Sequence, residues 1–189
     1  MNTKGVSSLI TVENVIFYTL SRLANLAVGH TYTAGKEQNP FFKEFEIFAT
    51  PEPILLNDAP NLLNEYSLYV RERLFEDVRL EYFPELPSRM TCLWIMTEEN
   101  LAAKIQYWSK EIPDTKTLYK ISCSGKIHIA DDTLLIHPLG GFFSEIRKYA
   151  HLYWDGVIQN TEPIHQELLF AGSFTVLEML DPSLQFSAR

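Results

Sequence analysis

The chain has 189 residues and a net charge of −8, with 46% hydrophobic and 21% charged residues. This balance excludes a disordered chain and suits one globular domain over residues 1–189. The acidic charge argues against a broad nucleic-acid surface, which needs clustered Lys and Arg. There is no signal-peptide core and no run of 18 apolar residues, so we expect a cytoplasmic protein without a membrane span.

The first half of the chain predicts strands and helices in alternation. Residues 14–19 join β-branched and aromatic side chains, which is typical of a buried strand. Ser21 is a suitable N-cap for a short helix over residues 23–27, which Gly29 can close, and residues 41–49 form a weaker strand candidate. A four-residue repeat predicts an amphipathic helix over residues 61–78, with its charged residues in solvent. The predicted core-facing stripe of this helix is Leu62, Leu63, Tyr66, Val70, Leu74 and Val78.

The second half mixes strands and helices without a regular alternation. Residues 91–96 predict a buried strand, and Thr97 caps a helix after it. Residues 117–123 and 126–130 predict a hairpin around Ser124-Gly125, residues 142–153 a helix, and residues 167–170 and 174–180 two strands around Ala171-Gly172-Ser173. The pattern favours an α+β fold with an open cleft between two small sheets over a doubly wound parallel sheet.

The spacing of the cysteines and histidines indicates neither a structural disulfide nor a metal site. Cys92 lies in an apolar run, which predicts a buried thiol in preference to a disulfide with Cys123. No Cys or His pair has metal-ligand spacing, so we expect no bound metal.

Three short segments carry a resemblance to a known family. The first strand ends in Tyr18, Thr19 and Ser21; Met96-Thr97 stands at a central strand-to-helix junction; and Gln166-Glu167-Leu168-Leu169-Phe170 is a late strand opening with a glutamate. In this order they resemble the ADP-ribosyltransferase superfamily. Members carry His or Arg with a nearby hydroxyl on the first strand, a hydroxyl or aromatic residue at the junction, and a glutamate on the late strand.

Two further motifs narrow the resemblance. Pro87-Ser88-Arg89 and Tyr153-Trp154-Asp155-Gly156 are similar to motifs in a family of small, uncharacterised bacterial proteins. Some of its relatives are toxin components of phage-defence systems that modify RNA. The resemblance therefore implies split mixed or antiparallel sheets with flanking helices and a cleft for NAD.

The resemblance also implies roles for individual residues. Glu167 would be the catalytic carboxylate that stabilises a cationic ribose, and Arg22 would replace the usual first-strand histidine, where this chain has Thr19. Arg89 either contacts the pyrophosphate or locks a nearby turn to a carboxylate. His165 stands where arginine-modifying members carry Glu or Gln, which disfavours arginine as the acceptor. The residues expected to hold NAD are Tyr18, Thr19, Ser21, Tyr32, Arg89, Trp94 and Thr97.

Two function classes follow, with NAD as the expected substrate in the first. The chain is either a transferase that places ADP-ribose on a protein or nucleic-acid acceptor, with NAD hydrolysis as a variant, or a silent binding or immunity-type protein. The acidic charge suits a basic protein partner, including a neutralising one. For Glu167, the structural alternative to catalysis is a solvated strand-edge glutamate. A catalytic Glu167 is expected to contribute little to the core, so that Glu167→Gln lowers activity and leaves folding intact.

Overall fold

A computed structural model describes residues 8–21, 26–43, 59–111, 117–136 and 143–180. The fold is α+β, as the sequence predicts, and none of the described helices is long and apolar enough to cross a membrane. The strands are β1 (Leu9–Ser21), β2 (Thr31–Ala34), β3 (Leu93–Ile95), β4 (Thr117–Asp131) and β5 (Gln166–Leu180). The helices are α1 (Pro40–Lys43), α2 (Ala59–Tyr82), α3 (Glu98–Glu111) and α4 (Phe143–Trp154).

The described strands form one antiparallel sheet in the order β1-β4-β5-β2, with β3 paired to β5. The sheet also curves back on itself at β3. Met96, just past β3, exchanges backbone hydrogen bonds of 2.9 and 2.8 Å with Tyr18 of β1. The antiparallel pairing confirms that the sheet is not a doubly wound parallel one. The expected division into two small sheets is wrong for the described residues, because β4 and β5 stay paired along their whole length.

The two predicted turns at Ser124-Gly125 and Ala171-Gly172 are wrong, because both lie inside continuous strands. Gly125 faces Gly172 across the β4–β5 pair, and the two backbones approach closely there. A Cβ on Gly125 would stand 2.4 Å from the carbonyl oxygen of Ala171, and one on Gly172 would stand 2.4 Å from that of Ser124. These glycines therefore permit a close approach of two paired strands, a role that local sequence does not distinguish from a turn.

Two weaker predictions near the N-terminus also change. Ser21 ends β1, and residues 26–27 are not helical, so the predicted short helix is wrong where it is described; residues 22–25 lie outside the described part. Pro40–Lys43 is a short helix where the weaker strand candidate begins, and residues 44–49 also lie outside it.

The long helix α2 is confirmed, and its predicted inward face is correct in part. Val78 is buried and Leu74 packs against the same core, whereas Leu63 and Tyr66 are about half exposed. The charged side chains of Glu72, Glu76 and Arg79 are also buried. Charge pairing makes this burial tolerable: Arg79 donates to both carboxylate oxygens of Glu76, at 3.1 and 2.8 Å.

The described buried residues form three clusters, of which the smallest joins Tyr18 and Met96 to Leu101 of α3. One of the two larger clusters lies on one face of the sheet, with Phe17, Ile95 and Phe170 among its members. The other lies between the sheet and helices α2 and α4, where Trp154 donates its indole N–H to the carbonyl of Phe75 at 2.7 Å. The strand over residues 91–96 and the helices after it and over residues 142–153 are confirmed as β3, α3 and α4.

Candidate functional site

Glu167 lies at the start of β5 and faces the helix-side core. Side chains alternate along a strand, so Glu167 shares its face with Leu169, which belongs to that core. Its side chain is 10% exposed, and the alternative of a solvated strand-edge glutamate is therefore wrong. Oε2 accepts hydrogen bonds from Arg89 Nη1 and from the Tyr153 hydroxyl, the latter at 2.6 Å. Oε1 receives no hydrogen bond from any described residue.

Arg89 is the cation at the centre of this site. Its Nε donates to Glu72 Oε2 at 2.8 Å, and its Nη1 donates to the Tyr153 hydroxyl at 2.7 Å as well as to Glu167. The guanidinium also stands 5.7 Å from the ring centre of Trp94. Burial alone would lower the pKa of Arg89, but the carboxylates of Glu167 and Glu72 hold it well above its usual value. Arg89 thus forms ion pairs with two buried carboxylates, which corresponds to the second of its two expected roles.

Glu72 extends the network to a second arginine. Its Oε1 accepts from Arg71 Nε at 3.2 Å and from Arg71 Nη2 at 2.7 Å. Burial acts to raise the pKa of Glu72, yet Arg89 and Arg71 hold it below its usual value. Two guanidinium groups therefore alternate with two carboxylates, and the formal charges of this buried chain cancel.

A second polar cluster adjoins the first on the side of α3. Asp132 Oδ1 lies 2.7 Å from His165 Nδ1, and its Oδ2 lies 3.7 Å from the ammonium of Lys104. Burial lowers the pKa of Lys104, against the opposing effect of Asp132 and Glu167. Burial raises the pKa of Asp132, and the charge of Glu167 adds to that effect. The second cluster thus lies within electrostatic reach of Glu167.

The three segments singled out in the sequence are neighbours in space. Ile95 pairs with Leu168, so Met96 and Glu167 occupy the next row of the same antiparallel register. Met96 in turn bonds to Tyr18 on its other side. The first strand, the central junction and the glutamate strand therefore lie side by side at one end of the sheet.

The other candidates divide between this end of the sheet and other positions. Tyr18 is buried against Met96 and Leu101, and the Thr19 hydroxyl donates to the carbonyl of Trp94 at 2.9 Å. Trp94 lies beside Arg89, and its buried indole N–H has no hydrogen-bond partner among the described residues.

Ser21 is buried at the end of β1, and Thr97 is half-buried just before α3. Tyr32 is not part of this site, because it stacks on Phe174 at 5.6 Å and its hydroxyl accepts from the backbone of Ala27. Arg22 lies outside the described residues.

Sequence reasoning missed several residues of the site. Tyr153 enters the sequence analysis only as part of a family motif; it is fully buried, and its hydroxyl joins Arg89 to Glu167. Glu72 was assigned to a solvated face. The remaining missed residues are Arg71, Lys104 and Asp132, and His165 was considered only for its bearing on the acceptor. No local pattern distinguishes Glu72 from the other charged residues of α2.

Both cysteines are buried and free, with the pKa of the Cys92 thiol raised by burial and that of Cys123 raised by burial to about 12. Within the described ranges, no three His, Cys, Asp or Glu side chains are grouped so as to hold a metal ion.

A comparison with curated proteins finds no match. A family described as a protein of unknown function, DUF2441, matches residues 51–182. The matched range covers more than half of the chain and includes all of the buried charge network from Arg71 to Glu167. The chain therefore belongs to the DUF2441 family.

Proposed function

We propose that this protein is an NAD-dependent ADP-ribosyltransferase in which Glu167 stabilises the cationic ribose. The observation that carries the proposal is the asymmetric bonding of that carboxylate: Oε2 is fixed by Arg89 and Tyr153, and Oε1 has no described partner. A carboxylate oriented in this way is preorganised to accept a hydrogen bond from a ribose hydroxyl. Its surroundings need not rearrange as charge develops.

The chemistry requires such a group at one point of the reaction. The bond between the ribose C1′ and the nicotinamide nitrogen breaks, and its electron pair leaves with nicotinamide. Positive charge then develops on the ribose, and Glu167 acts on it through the 2′-hydroxyl. An acceptor nucleophile completes the transfer at C1′ and loses its proton, and water in its place gives hydrolysis of NAD.

In this proposal Arg89 positions Glu167 and does not hold the pyrophosphate. Its bonds to Glu72, Tyr153 and Glu167 commit Nε and Nη1 to protein groups. The neighbouring Trp94 packs its ring against the Arg89 guanidinium, and its indole N–H is buried, so in this proposal Trp94 also supports the site without contacting the dinucleotide. The proposal places the protein in the cytoplasm, with a protein or nucleic-acid acceptor and a toxin role in phage defence.

A second candidate function is a catalytically silent binding or immunity-type protein. It is favoured by the engagement of groups that a nucleotide would need: Thr19 already bonds to Trp94, and Tyr18 is buried under Leu101. The net charge of −8 would suit a basic protein partner.

The deciding experiment measures transfer and hydrolysis of labelled NAD in the presence of cell lysate, with protein and nucleic acid analysed separately. Glu167→Gln should lose roughly 100-fold or more in turnover, the usual scale for one preorganised electrostatic partner. Glu178→Gln is the matched control, because Glu178 is an exposed glutamate on the same strand. A parent protein that neither binds nor consumes NAD would favour the silent protein instead.

A further inference from the structure

A carboxylate–imidazole pair lies close enough to Glu167 for the charge of Glu167 to act on its carboxylate. His165 ends a 3₁₀ turn that leads into β5, two residues before Glu167, and its Nδ1 lies 2.7 Å from Asp132 Oδ1. The His165 side chain is 24% exposed and that of Asp132 only 16%. The imidazole is therefore the member of the pair that a second reactant can reach.

Asp132 is held on both of its oxygens. Oδ1 faces His165, and Oδ2 faces the buried ammonium of Lys104 at 3.7 Å. An ionised carboxylate accepts hydrogen bonds only, so His165 must carry its proton on Nδ1 at this contact. In the neutral ring the lone pair is then on Nε2, which is the arrangement of a general base whose tautomer is set by a carboxylate.

The pair is coupled to the site proposed for the ribose. The charge of Glu167 acts on both Asp132 and Lys104, so these groups share one electrostatic environment. Tyr107 of α3 stands edge-on to the imidazole, with ring centres 6.3 Å apart. The charged and titratable groups around His165 are therefore Asp132, Lys104, Tyr107 and Glu167.

Resting on the proposed function, we infer that His165, oriented by Asp132, is the general base that activates a hydroxyl acceptor. Nε2 takes the proton of the acceptor hydroxyl as its oxygen bonds to the ribose C1′, while the bond to nicotinamide breaks. The proton then leaves His165 to solvent. Glu167 stabilises the positive charge on the ribose, and His165 takes the proton of the nucleophile. The two halves of the reaction therefore depend on different groups.

The inference also names the class of acceptor. A carboxylate acceptor is already ionised near neutral pH and needs no base, whereas an alcohol, a sugar hydroxyl or water must lose a proton during attack. A base beside the reacting carbon thus points to a hydroxyl on a protein, a nucleic acid or water.

The test compares two nucleophiles in His165→Gln and the parent. Azide is an anion and attacks C1′ without giving up a proton, so it bypasses the base; water or an added alcohol does not. We expect His165→Gln to lose about 100-fold or more of hydroxyl transfer, the usual contribution of a positioned base. Its production of ADP-ribosyl azide should stay near that of the parent. Asp132→Asn should follow the same pattern, and Glu167→Gln should lose both reactions.

A further arm separates a base from a structural residue. Free imidazole should partly restore hydroxyl transfer in His165→Gly and do nothing for the parent. His30→Gln is the control, because His30 is exposed in a turn between β1 and β2.

Three outcomes would overturn the inference. Hydroxyl transfer in His165→Gln within about threefold of the parent would exclude a base whose usual contribution is far larger. Equal losses with water and with azide would give His165 a structural role only. A parent without NAD turnover would overturn the proposed function itself, and the parent assay alone distinguishes that failure from the other two.

Discussion

Replacing Arg89 by Met should strongly destabilise the protein. The substitution keeps an unbranched apolar stem but removes the cation between Glu72 and Glu167, which are both largely buried. Glu72 keeps its contact with Arg71, whereas Glu167 keeps only the Tyr153 hydroxyl. Removing one partner of a buried ion pair costs about 3–5 kcal/mol, because the remaining charge has no counterion.

Urea unfolding at neutral pH, followed by circular dichroism, measures this loss. The control is Arg147→Met, because Arg147 pairs with Glu81 on the surface, where the two side chains are 37% and 53% exposed. Solvent screens the charges of an exposed pair, so the control should remain close to the parent. A loss below about 1 kcal/mol for Arg89→Met would refute the argument that buried charge pairing holds this part of the core.

The pH dependence gives an independent check. In the parent, Glu72 has a pKa held below its usual 4.5, so the stability it contributes is present above that pH and is lost as the pH falls through its folded pKa. Without Arg89, Glu72 loses the larger of the two arginine charges that hold its pKa down, so its protonated form is favoured. The difference in the free energy of unfolding between parent and variant should therefore become smaller as the pH falls below about 4.5. A difference independent of pH would mean that lost packing, not charge, explains the effect.

Three other predictions concern the fold. Gly125→Ala should destabilise by about 1–3 kcal/mol or more in urea unfolding, because its Cβ would stand 2.4 Å from a backbone oxygen of Ala171. His128 is fully buried, and burial lowers its pKa to about 4, so the unfolded chain binds more protons between pH 6.5 and 4. The free energy of unfolding should therefore decrease by about 3 kcal/mol as the pH is lowered across that range. In thermal melts at several pH values, His128→Phe should show a smaller decrease than the parent. The buried thiols of Cys92 and Cys123 should react slowly with a thiol reagent in the native protein and completely after unfolding.

Periodicity located the long helix and the apolar part of its buried face, but not the charged part. The four-residue spacing of Leu62, Tyr66 and Val70 indicated a helix, and a helix is present. The face that packs on α4 is shared with Glu72 and Arg79, because each finds an opposite charge there. A hydrophobic stripe can be recognised from the residues of one helix, whereas the burial of a charged residue depends on a partner that is distant in sequence. Arg89 is 17 residues from Glu72, and no local sequence pattern predicts their contact.

The strand pairing shows a similar division. β-branched and aromatic runs identified β1 and β3 and much of β4 and β5, because those residues suit a pleated and half-buried surface. Gly125 and Gly172 were assigned to turns, since glycine alone carries no information on whether a chain reverses or passes close to another. Only the pairing of these two glycines across β4 and β5 reveals the close approach of the two strands. The order of the three resemblance segments did place Glu167 beside the first strand and the junction, although its buried partners were not foreseen.

Glu167 therefore has to be tested as both a buried ion and a reactive group. The expectation that Glu167→Gln leaves folding untouched is revised by its contacts, since Gln keeps an acceptor for Arg89 and Tyr153 but loses the charge. Weakening hydrogen bonds to a charged group costs about 1.5–3 kcal/mol, less than the loss expected for Arg89→Met. Tyr153→Phe separates the two roles, because it removes one donor to Oε2 and leaves the carboxylate in place. We expect both variants to be destabilised to a similar extent in urea unfolding, but only Glu167→Gln to lose most NAD turnover at a temperature where both are folded. Equal losses of turnover in the two variants would show that orientation of the site, and not the charge of Glu167, governs activity.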